Sequence, residues 1–160
     1  MTETPLVLHA RRRCRSAPGS SALVLLAVVG VAVFANSPSL AACYPESADA
    51  AQSRAENATD WQGLYATFVR FGICDDGAVA EAFSDHTADI LAQKWESIST
   101  LDRLAKLHPR FRQFVLRHID SLMTPDQART IEQNARQHCP TEAEALCREI
   151  AKHARDATRG

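Results

Sequence analysis

No stretch of this chain alternates polar and apolar residues with period two over a useful length, so a half-buried β-sheet has no support in the sequence. The short signatures of common chemistries are missing as well. There is no G-x-S-x-G, no H-E-x-x-H, no Walker glycine loop, no C-x-x-C and no C-x-x-C-H. No calcium-loop spacing occurs either, because the clustered acids recur at helical intervals and are not set around a turning glycine. These absences leave no cofactor and no metal to expect. An excess of one charge is also lacking, with 18 bases against 19 acids. Without a concentrated basic face, nucleic acid is not an expected partner.

The longest apolar run is too short for a stable membrane span. Ala22 to Ala35 has fourteen residues without a polar side chain, about 21 Å as a helix against about 30 Å of hydrocarbon core. Arg11, Arg12, Arg13 and Arg15 precede it, and Ser39 and Ala41 follow as small residues before a cleavage point at Ala42. Positive charge, greasy run and small-residue site in that order predict an export signal over residues 1–42 and a periplasmic or secreted product. The alternatives are an uncleaved anchor and a lipoprotein, since Leu40-Ala41-Ala42-Cys43 resembles a lipobox. The polar insert Asn36-Ser37-Pro38-Ser39 argues against lipidation, because a lipobox abuts the apolar run. Contact with a membrane is expected only through this signal or through such a lipid anchor.

Export sets the reading of the cysteines. Removal of the leader discards Cys14 and leaves Cys43, Cys74, Cys139 and Cys147, an even set that predicts two disulfides with three connectivities open. If Cys139 ends one helix and Cys147 lies inside the next, the two are too far apart to bond. Each is then expected to pair with Cys74 or Cys43, pinning a C-terminal helical hairpin to the turn around Cys74. A zinc site of His138, Cys139, Cys147 and His153 is the alternative, but its spacing matches no usual ligand pattern.

Charge is unevenly placed beyond the leader. Residues 44–102 carry eleven acids against three bases, a net −8, and residues 103–160 carry seven acids against eleven bases, a net +4. Helical stripes fill both halves. Residues 43–59 read as a flexible lead or a short helix, and residues 60–157 as one helical domain. Asp60 caps a helix with Trp61, Leu64, Phe68 and Phe71 on one face. Asp75 and Asp76 suit the start of the next helix, which is predicted to run to about Trp95. Ser99 to Asp102 reads as a capping box before Leu101, Leu104 and Leu107. Pro109 opens a stripe of Phe111, Phe114, Val115, Ile119 and Leu122, with His118 inside it and thus buried. Thr124-Pro125-Asp126-Gln127 starts a further helix, and Thr141 to Glu144 repeats the capping grammar before the last one. The predicted architecture is all-α, a single bundle of five or six short helices clamped by disulfides.

Functional candidates are few. Glu81, Asp85 and Asp89 recur at spacing four and form an acidic ridge suited to a basic partner surface in the cell envelope. Asp76, Glu81, Asp85, His86 and His118 are the groups a small hydrolase would use. The reading preferred from sequence is an exported binding or accessory module whose activity and partner are not encoded in any motif; the alternatives are the hydrolase and a lipid-anchored envelope protein.

Overall fold

A computed structural model describes residues 42–159. The four arginines, the apolar run, Cys14 and the expected cleavage site before Ala42 fall outside or at the edge of the described residues. Within them the chain forms seven α-helices and no strands. They are α1 (Pro45–Glu56), α2 (Trp61–Phe71), α3 (Gly77–Gln93), α4 (Ile98–Leu107), α5 (Pro109–Arg117), α6 (Pro125–Gln137) and α7 (Glu144–Ala157). The all-α class agrees with the sequence reading, and the count exceeds the five or six expected.

The extra helix is α1. This stretch, which reads from sequence as a flexible lead or a short helix, is a helix with Ala51 and Ala55 fully buried, and it lies against α3. Small side chains let two backbones approach closely, so alanine serves as an anchor that a search for large apolar residues overlooks. Local chemistry explains several boundaries. The Asp60 carboxylate accepts the Gly63 N–H at 2.7 Å and starts α2. Thr124 and Gln127 form a reciprocal capping box that starts α6. Gly77 opens α3 at φ 51°, where no atom lies within 4 Å of a Cβ position, so backbone conformation and not space requires glycine.

Other boundaries depart from expectation because tertiary partners outbid local ones. α3 ends at Gln93, and Trp95 sits in a tight turn where its indole N–H donates to the His138 carbonyl at 2.9 Å. α4 begins at Ile98 without a side-chain cap, since Ser99 reaches Glu142 at 3.0 Å and Asp102 pairs with Lys106 at 2.6 Å. α5 stops at Arg117, leaving Ile119 buried but Leu122 half out in solvent. Thr141 to Ala143 is a tight turn that makes no capping box.

The core is a cluster led by Trp61, Leu64, Phe83, Leu91, Phe111 and Phe114. The Phe114 ring meets Phe68 at 4.7 Å, Phe83 at 4.8 Å and the His118 ring at 4.4 Å between centroids. α6 and α7 form a hairpin through Ala128, Ile131, Ala135, Leu146 and Ile150.

The disulfides overturn the expected pairing. Cys43 bonds Cys74, and Cys139 bonds Cys147 with Cα atoms 6.2 Å apart. Eight residues of continuous helix would separate two Cα atoms by about 12 Å. The chain instead leaves α6 before Cys139, bends at Pro140 and turns tightly before α7, which brings Cys147 back within reach. The C-terminal hairpin is stapled to itself, and it is the N-terminal end of α1 that is pinned to the turn at Cys74.

Candidate functional site

The most developed polar constellation lies where the turn after Cys74 meets the end of α5. Asp75 was read from sequence as a helix-starting carboxylate. Asp76 takes that role, accepting the Gly77 N–H at 2.8 Å, while Asp75 turns inward. Its side chain is 7% exposed and faces His118 Nε2 through both oxygens, at 3.1 and 3.2 Å, and it also accepts a hydrogen bond from the Arg117 guanidinium. The carboxylate serving the buried histidine thus comes from the turn before α3 and not from the acidic helix itself. On the other side of the ring, His118 Nδ1 meets Ser84 Oγ at 2.9 Å, and Ser84 Oγ lies 2.8 Å from Asp120 Oδ2. Asp120 uses its other oxygen to accept the Leu122 N–H at 2.9 Å, which shapes the turn after α5.

Three contacts in a row need three hydrogens. Ser84 has one, and a neutral imidazole has one. The row is complete when His118 carries a proton on each nitrogen, donating to Asp75 and to Ser84, while Ser84 donates to Asp120. Burial pushes the Asp75 carboxyl up, but the hydrogen bonds and positive charges of His118 and Arg117 outweigh it and hold the group below the ordinary aspartate range.

The order serine, histidine, aspartate invites comparison with a nucleophile, its base and an orienting acid. Access and proton direction argue for a clamp. Ser84 is 2% exposed and His118 3%, and the serine hydrogen points at Asp120. Ser84, His118, Asp75 and Asp120 line none of five surface cavities, and of the set only Arg117 borders one. The set ties the turn at Cys74, the middle of α3 and the end of α5 into one unit.

The remaining candidates are dispersed. Glu81 and Asp85 stand exposed on α3. Asp89 is engaged, accepting from Gln127 at 3.0 Å and Gln93 at 3.2 Å, so the third member of the acidic ridge helps join α3 to α6. His86 is half-buried beside a cavity of about 180 Å³ that it shares with Asp89 and Lys94, away from His118. Among the described residues no group of three or more His, Cys, Asp or Glu could hold a metal ion. Cys139 and Cys147 commit their sulfurs to each other, which leaves His138 and His153 without thiolate partners.

No protein-family model, curated protein or solved structure matches the chain. The site must be read from its own geometry.

Sequence reasoning found His118 and its burial, but it missed Ser84 and Asp120. Ser84 follows Phe83 on the buried side of α3, a polar residue within an apolar stripe, and that was the available signal. Asp120 gave none, since it looks like any loop carboxylate three residues beyond a helix end.

Proposed function

We propose that this chain is an exported, disulfide-clamped helical module of the bacterial cell envelope that binds a protein partner and does not turn over a substrate. The observation that carries the reading is the Cys43–Cys74 bridge. It uses the sulfur that lipidation at Cys43 would need, so the bridge and the acyl thioether exclude each other and favour a soluble exported product. Two disulfides in a small domain fit an oxidising compartment. Among the described residues no helix is long and apolar enough to cross a membrane. Burial of Ser84 and His118 supports binding over chemistry, because a hydroxyl enclosed in a packed core has no substrate path.

Intact-mass measurement on protein made with its leader in a bacterial host tests this. The expected product begins at Ala42, lacks acyl chains and gains about 4 Da on reduction, one hydrogen per cysteine. A full-length cytosolic chain with five titratable thiols, or an acylated Cys43 with a free Cys74, overturns it. The hydrolase alternative is favoured by the serine–histidine–aspartate order alone. Hydrolysis of ester, glycoside or peptide substrates by the purified protein, abolished by Ser84→Ala or His118→Ala, would establish that alternative in place of binding.

A further inference from the structure

An open groove of about 620 Å³ runs between the end of α2 and α5. Its apolar rim is Val69 and Ile73, which are 63% and 52% exposed and are two of only five large apolar side chains so exposed among the described residues. Phe68 lies below them. Gly72 keeps that ring uncovered, because a Cβ there would come within 3.0 Å of it. Three arginines border the groove and no carboxylate does. Arg70 and Arg110 form no salt bridge among the described residues, and Arg117 pairs only with the inward-facing Asp75. Arg110 and Arg117 are seven residues apart on one helix, close to two full turns and about 10 Å.

We propose that this groove docks an acidic amphipathic helix of a partner protein. The inference rests on the binding-module reading above and names the surface and the class of partner. Guanidinium groups two turns apart match carboxylates two turns apart on an incoming helix, which would lay its apolar stripe over Val69, Ile73 and Phe68. A bilayer is a poorer fit, because the Phe68 ring lies below the rim, where a flat lipid surface does not reach it. A second copy of this chain fits poorly as well. The acidic ridge of α3 has Glu81 and Asp85 in the open but no large exposed apolar side chain to fill the groove. The docking surface therefore differs from the acidic ridge that the sequence suggested, and it is of opposite charge.

The test uses the mature oxidised protein, isotope-labelled, and a synthetic helical peptide with leucines on one face and glutamates two turns apart. Titration is expected to shift the amides of Val69, Ile73 and Arg110. Replacing the glutamates by glutamine, or introducing Arg70→Glu together with Arg110→Glu, is expected to weaken binding by about tenfold or more. Val69→Asp provides a second, uncharged-to-charged lesion at an exposed position should the double variant fold poorly. Equal binding of the glutamine peptide, shifts that map elsewhere, binding to phosphatidylglycerol vesicles in place of the peptide, or self-association through these residues each overturns the proposal. Those results leave the binding-module reading intact. Substrate turnover or a retained leader would sink that reading whatever the groove does.

Discussion

Asp75 shows how one residue can be misread when its true partners are distant in sequence. Two adjacent aspartates before a glycine both look like caps, and nothing local tells them apart. The distinction comes from Arg117 and His118, more than forty positions away, which draw one carboxylate inward. Asp60 and Thr124 were legible because their partners lie three residues on. Replacing Asp75 by Asn keeps the shape but leaves the Arg117 guanidinium and the His118 ring facing a neutral amide. The expected cost is about 2–3 kcal/mol at neutral pH, below the full value for a buried pair because Arg117 is largely exposed. The folded protein holds the Asp75 carboxyl below its ordinary value, so its stabilisation is fully present above about pH 4, near the unfolded value, and disappears as pH falls through the lower folded value. Urea unfolding of both proteins across pH should show a constant gap from pH 5 to 7 that closes towards pH 2. A gap under about 0.5 kcal/mol at pH 7 would mean that the network contributes little.

At the scale of elements, the helices themselves were readable and their joints were less so. Stripes at intervals of three and four located α2 to α7, since each must bury one face. What spacing along the chain cannot encode is the direction taken after a helix ends. Cys139 at the end of one helix and Cys147 inside the next look too far apart to bond, whereas Pro140 and the turn after it fold the second helix back towards the first. Tryptic mapping distinguishes the two pairings directly. No lysine or arginine lies between residues 137 and 148, so the Cys139–Cys147 bond should appear as a single peptide about 2 Da lighter than its reduced form. Cys43 and Cys74 are separated by Arg54 and Arg70 and should appear as two joined peptides. The bridges should also differ in worth. Closing the chain over 31 residues restricts the unfolded state by about 3.7 kcal/mol, and over 8 residues by about 2.5 kcal/mol. Cys43→Ser with Cys74→Ser should therefore lower the urea midpoint more than Cys139→Ser with Cys147→Ser. The reverse order would show that the staple on the α6–α7 hairpin holds more than its own loop.

Considered as a whole, the molecule depends on the oxidation of its cysteines. The two bridges together contribute about 6 kcal/mol on the loop-closure account, and a domain of this size has a total stability of only about 5–15 kcal/mol. Reduction should thus remove a large part of the margin, and α1 should suffer first. Its buried anchors are alanines, and the Cys43–Cys74 bond holds its first turn to the body. The expectation is that the chain from Ala42 onward, reduced with dithiothreitol, unfolds at a markedly lower urea concentration than the oxidised form. Amide exchange should speed up in α1 before it does in α3 or α5, where the aromatic core and the His118 network persist without the bridges. If the midpoint and the exchange of α1 were unchanged on reduction, the packing of Ala51 and Ala55 on α3 would suffice by itself. The fold would then carry no sign of having been selected for an oxidising environment, and the case for export would rest on the leader alone.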